Sequence, residues 1–234
     1  MSRLLSVNHL TKIYGCGLRE VRALWDVNFA LEEGSFTAVL GEAGSGKSAL
    51  LDILGGLEAP THGRYQFRGE EVTRMGECCL ARLRGEMGFA LQWAPLEKGA
   101  SLLEDVSHPL VSRGIPTAQR REMALRALAK VGLEGRAGSL PDSLNDSQLR
   151  RAVIARAIAA GPSLLLVEEP GESHTDVHTD VGAVLRQLGR EGLSILLFTR
   201  DKQLAACAPR QLLLQRGRLV GDLATPPQRG VRLA

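Results

Sequence analysis

Gly41-Glu42-Ala43-Gly44-Ser45-Gly46-Lys47-Ser48 is the stretch that decides the fold. It satisfies every specified position of G-x-x-x-x-G-K-[ST]. Glycines at these places let successive backbone N–H groups turn inward around phosphate oxygens, and a helix beginning behind them adds the positive end of its dipole. Lys47 is therefore expected to reach the β- and γ-phosphates of a nucleotide, and the Ser48 hydroxyl to ligate Mg2+. The flanks agree. Ser35 to Leu40 reads as an apolar strand entering the loop, and Leu50, Ile53, Leu54 and Leu57 follow at i, i+3, i+4 and i+7, one face of a helix.

Outward from the loop, Leu4 to Val7 and Ala23 to Leu31 read as strands, with a turn at Glu32-Glu33-Gly34. Residues from about 93 to 158 are mostly helical in pattern, with Met123, Leu125, Leu128, Val131 and Leu133 at near-helical spacing and Gly132 near that helix's end. Ser163 to Val167 and Leu193 to Phe198 are continuous apolar runs, as expected for parallel strands buried on both faces. Gln211 to Gln215 and Arg218 to Val220 around Arg216-Gly217 predict a closing hairpin. The expectation is an α/β core of the P-loop NTPase class, interrupted by a helical insertion.

Composition narrows the function classes. The 234 residues suffice for one substantial core, and 44% hydrophobic content is that of a folded protein. A net charge of +3, scattered along the chain, with 4% aromatics, argues against nucleic-acid binding. No stretch reaches the roughly 18–20 apolar residues that span a bilayer, and Met1 to His9 lacks the apolar run of a signal peptide, so a cytoplasmic location is expected. Cys16, Cys78, Cys79 and Cys207 show no metal-ligand spacing and are expected to be reduced, partly buried thiols. The phosphate loop alone does not separate kinases, GTPases, helicases and transporters, and the N-K-x-D element of guanine specificity is not found.

Further segments resemble the ABC-transporter nucleotide-binding subunits over about residues 3–222, particularly the lipoprotein-releasing and macrolide-export branch (LolD/MacB-like). Leu10-Thr11-Lys12-Ile13-Tyr14 and Val21-Arg22-Ala23-Leu24 match that branch's L-T-K-x-Y and V-x-A-L. Gly88-Phe89-Ala90-Leu91-Gln92 is similar to its G-F-V-F-Q, and Leu102-Leu103-Glu104-Asp105-Val106 with Pro109-Leu110 to its L-x-x-L-E-N-V-x-x-P-L. The resemblance implies an ABC ATPase core with an N-terminal antiparallel β subdomain over residues 1–222, a helical subdomain at about 93–158, and a tail over 223–234. It implies ATP and Mg2+ as cofactors, held by the loop from Gly41 to Ala49. Tyr14 would stack on adenine, and Ser48, Gln92 and Glu168 would hold the metal. Trp93 and Leu96 would border the groove for a membrane subunit. Implied partners are FtsX/MacB/LolC-like permease subunits and a second ATP-binding subunit, in a homo- or heterodimer peripheral on the inner face of the cell membrane.

The same comparison exposes departures. The family's L-S-G-G-Q signature stands as Leu144-Asn145-Asp146-Ser147-Gln148. In the family this helix start faces the γ-phosphate of a partner's ATP. Asp146 brings a negative charge there, costing about 3 kcal/mol at ~5 Å and an effective dielectric of ~20. Asn145 with Gln148 three residues on is also a capping box, and Asp146 suits the positive helix end. The Asp-Glu that ends Walker B is Glu168-Glu169, with Glu169 at the general base. The segment Gly171-Glu172-Ser173-His174-Thr175 replaces T-G-N-L-D, and the switch histidine is Arg200, a donor without acceptor capacity. The expectation is an ATP-binding transporter subunit with weak hydrolysis. The alternative is an inactive pseudo-ATPase, structural or regulatory, paired with an intact ATPase.

Overall fold

The computed structural model describes residues 2–91, 95–169 and 175–224. The chain begins with strands β1 (Arg3–Tyr14), β2 (Val21–Glu32) and β3 (Phe36–Leu40), then helix α1 (Lys47–Leu54), β4 (His62–Phe67), the short β5 (Glu70–Glu71), α2 (Glu77–Gly85) and β6 (Met87–Ala90). Helices α3 (Leu102–Val111), α4 (Thr117–Lys130) and α5 (Asp146–Ile158) follow. Then come β7 (Leu164–Glu169), α6 (Thr175–Arg190), β8 (Ser194–Thr199), α7 (Lys202–Ala205), β9 (Arg210–Gln215) and β10 (Arg218–Ala224). Four strands form an antiparallel sheet in the order β2-β1-β4-β5. Six form the central sheet, β10-β9-β3-β8-β7-β6, parallel except for the terminal hairpin.

The continuous apolar strands are explained by two cores, one on each face of the central sheet. Leu164, Leu166, Leu196 and Phe198 join the core between the two sheets around α1. Leu165, Val167, Ile195 and Leu197, their neighbours in the chain, join the core against α3 to α6. Period-two alternation thus sends successive leucines into different cores, which a strand can do only when both faces are covered.

The α/β class, the antiparallel N-terminal sheet and the hairpin are as expected. Three local expectations are corrected. Helix α1 stops at Leu54, and Gly56 follows at φ +65°, so Leu57 leaves the apolar face and is 43% exposed. Strand β10 runs to Ala224, so Leu223 and Ala224, read as tail, belong to the sheet. The four thiols are free, but Cys16, Cys78 and Cys79 are exposed rather than partly buried: Cys16 lies in the turn between β1 and β2, and α2, which carries the other two, buries only Leu83. Strands β4 and β5 and helix α2 had no expectation; their charged residues hide any periodicity. The rest of the expected tail, from 225, lies outside the described residues.

Parallel order aims the carboxyl ends of β3, β7 and β8 the same way. Leu40 pairs with Thr199 and Thr199 with Glu169, so the three strand ends lie in one row. The phosphate loop leaves one of them, Glu168 and Glu169 end the second, and Arg200 follows the third. Ligand sites of open parallel sheets form at this edge.

Candidate functional site

The loop between β3 and α1 is built for close approach. Gly44 and Gly46 take φ of +73° and +103°, conformations a side chain resists. A Cβ on Gly46 would lie 2.3 Å from the Ala23 carbonyl oxygen, and one on Gly41 2.5 Å from that of Leu214. The Gly217 N–H donates to the Ser45 carbonyl at 2.8 Å, so the β9–β10 turn braces the loop from behind. Gly46 opens α1 without a side-chain cap, which leaves the first-turn N–H groups directed at the loop. Lys47 Nζ folds over the mouth and donates to the Gly41 and Glu42 carbonyls at 2.5 and 3.0 Å. Burial draws its pKa below the ordinary lysine value.

One cavity of about 660 Å3 opens above this loop. Its walls include loop residues Ala43 to Ala49, with Tyr14 at one end and Glu168, Glu169 and Arg200 at another. Tyr14 is 38% exposed, its hydroxyl donating to Glu58 at 2.5 Å, and burial followed by this carboxylate raises its pKa. Glu169 is 7% exposed, and burial lifts its pKa from the ordinary 4.5 to about 7, although Arg150 on α5 pairs with it and opposes the rise. Glu168, half-buried, shares the wall. A carboxyl poised near neutrality can exchange a proton at physiological pH.

Asn145, Asp146, Ser147 and Gln148 are not in this cavity. The capping box is present as expected: the Asn145 side chain accepts from the Gln148 N–H at 2.9 Å, and Gln148 accepts from that of Asn145 at 3.1 Å. Ser147 is 8% exposed and its hydroxyl donates to Asp180 on α6 at 2.6 Å. Asp146 lines a separate cavity of about 320 Å3 on the far side of Glu168 and Glu169. Gln92, Trp93 and the segment from Pro170 to His174 lie outside the described residues.

Sequence reasoning missed Arg150, Arg22, Val21 and Asp52, the last three of which also line the larger cavity. A helix pattern places Arg150 beside Arg151 without saying which faces β7. Val21 and Arg22 lie within the V-x-A-L motif, which by itself does not say which of its residues face a cavity.

Residues 24–172 match the family described as ABC transporter. The chain is 38% identical over 221 residues to the macrolide export ATP-binding/permease protein MacB of Hyphomonas neptunium, covering 94% of this chain and 34% of that one. It is 37% identical over 225 residues to the pyoverdine export ATP-binding/permease protein PvdT of Pseudomonas fluorescens, covering 95% and 34%. The chain thus spans about a third of the length of the curated relatives it matches. Among solved structures, the dimeric bacterial ABC transporter cassette MJ0796 superposes with a TM-score of 0.85 at 29% identity, over 95% of this chain and 99% of that one. The same cassette in a post-hydrolysis state bound to ADP and Pi also gives 0.85, at 28% identity, with the same coverage.

Proposed function

The chain belongs to the ABC transporter family, and we propose that it is the ATP-binding subunit of a LolD/MacB-type transporter, coupling Mg-ATP binding and dimerisation to a membrane permease. The observation that carries this reading is the single cavity that gathers Tyr14, the phosphate loop, Ser48, Glu168, Glu169 and Arg200. The glycine cradle fits a phosphate chain, because any Cβ at Gly46 or Gly41 would strike backbone. Lys47 exchanges its two loop carbonyls for phosphate oxygens, and Tyr14 offers its ring to the adenine. Ser48 and Glu168, with Gln92, hold the Mg2+, which neutralises phosphate charge when bound. The ATP-binding domain is proposed to span residues 1–222, with the helical subdomain at about 93–158 inserted in it and Trp93 and Leu96 bordering the groove for the permease.

Hydrolysis is proposed to be weak. Glu169 is the general base, but its carboxylate is held by Arg150 and must turn from it before taking a proton from water. Arg200 clamps negative charge without accepting a proton. Asp146 opposes a partner's phosphates, and Ser147 has its hydroxyl committed to Asp180. A second ATP-binding subunit with an intact signature would relieve the last two defects at one of two sites. The proposed place is peripheral, on the inner face of the cell membrane, beside FtsX/MacB/LolC-like permease subunits; among the described residues no helix is long and apolar enough to cross a membrane.

Equilibrium dialysis with Mg-ATP and a steady-state phosphate-release assay test this. Binding that Lys47→Ala abolishes, with slow release that Glu169→Gln stops, is the expected result. Binding with no release in any pairing would leave the regulatory pseudo-ATPase, and no binding at all would sink both.

A further inference from the structure

Arg22 stands on β2 between two landmarks of the cavity. Its neighbour Val21 pairs across the ladder with Tyr14, at the base-binding end. Its other neighbour, Ala23, presents the carbonyl that lies 2.3 Å from where a Cβ on Gly46 would sit, at the phosphate loop. All three line the cavity. A nucleotide stretched from Tyr14 to Lys47 must therefore pass Arg22 with the part that joins base to outer phosphates, its ribose and α-phosphate.

The side chain is held in place rather than loose. Its guanidinium lies 4.2 Å from the centre of the Trp25 ring, and Arg218 covers that ring from the β9–β10 hairpin at 5.2 Å. The Trp25 N–H donates to the Gly217 carbonyl at 2.7 Å, and the Gly217 N–H donates to Ser45 at 2.8 Å. The ring on which Arg22 rests is thus tied through two backbone hydrogen bonds to the phosphate loop itself. Stacking on an aromatic face leaves a guanidinium's in-plane N–H donors open to an anion. Among the described residues no carboxylate pairs with Arg22, so its charge is uncommitted.

We infer that Arg22 is a nucleotide-binding residue outside the phosphate loop, preorganised by Trp25 to donate to the ribose–α-phosphate portion of the ligand. The inference rests on the proposed nucleotide site and specifies which further group holds the ligand there.

The test is competition of ATP, ADP and AMP against a fluorescent ATP analogue, on the full chain. Arg22→Ala is expected to weaken all three by a similar factor, roughly five- to tenfold, the scale of one partly exposed charge-assisted hydrogen bond. Arg22→Lys, which keeps charge but loses the planar fork, should fall between, and Trp25→Leu should reproduce part of the loss. Arg126→Ala, which removes an equal charge from exposed α4, should leave affinity unchanged. Equal affinities for wild type and Arg22→Ala, or a loss confined to ATP, would overturn this inference and leave the proposed function standing. Wild-type protein that binds none of the three would overturn that function and this inference with it.

Discussion

Glu169→Gln should make the nucleotide-free protein more stable, and more so the higher the pH. In the fold Glu169 holds its proton up to about pH 7, against 4.5 for an ordinary glutamate, chiefly because burial penalises the charged form. The folded chain therefore binds this proton more tightly than the unfolded chain. The resulting penalty is absent below the unfolded value, grows as pH rises, and is complete above about 7. The difference between 7 and 4.5, at about 1.4 kcal/mol per pH unit, gives about 3 kcal/mol. Glutamine keeps the shape and an acceptor for Arg150, whose side chain is 25% exposed and can hydrate. For a chain of this size the gain corresponds to roughly 6–12 °C in Tm. Thermal unfolding in EDTA, without nucleotide, at pH 8.5 and pH 5 reads it directly. The gap should be near full at the upper pH and fall below about 1 kcal/mol at the lower. A gap equal at both, or a variant less stable at pH 8.5, would refute the burial account. A stabilised variant that has lost turnover would mean that the charge costs stability because catalysis needs it.

Gly46→Ala should abolish nucleotide binding, because the new methyl meets the Ala23 carbonyl in a backbone conformation of φ +103°; equilibrium dialysis measures it. Asp105→Ala should lower stability by about 3–5 kcal/mol in urea unfolding. Asp105 is 3% exposed and bonds both Arg156, at 3.1 Å, and the Glu97 N–H, at 2.5 Å. Asp146→Gly, in the Glu169→Gln background, should strengthen Mg-ATP-dependent self-association roughly tenfold or more by removing a charge aimed at phosphate; light scattering across a nucleotide titration checks it.

Legibility in the sequence followed the range of the interactions. The strand, phosphate loop and start of α1 were readable because each is specified by residues within one turn of one another. The capping box at Asn145 and Gln148 was readable for the same reason, and its hydrogen bonds are those expected from spacing alone. The row Leu40–Thr199–Glu169 joins residues far apart in the chain, and no local pattern encodes its register. Leu57 was misplaced because periodicity does not register the Gly55-Gly56 stop. Ser147 and Arg150 were out of reach for a sharper reason: which side of α5 faces α6 and which faces β7 depends on packing, and α5 is not strongly amphipathic enough to announce it.

That last point bears on how the departures from the family's motifs are tolerated. A residue that faces a partner's phosphate in a dimer is, in the separate chain, a polar group in need of a bond. Here two such groups have bonds within the chain: Asn145 is satisfied by Gln148 and Ser147 by Asp180. Each bond stabilises the unpaired subunit, and each must be broken or done without if the same group is to act on nucleotide across an interface. The altered motifs and these intrachain bonds therefore act in the same direction as the weak hydrolysis proposed above. The phosphate loop escapes this trade, because its donors are backbone N–H groups shaped by glycine and its one side-chain cation, Lys47, is held by the Gly41 and Glu42 carbonyls and the Ser45 hydroxyl, all within the loop, which phosphate oxygens can replace. Binding of nucleotide at the loop thus needs no such exchange of side-chain bonds.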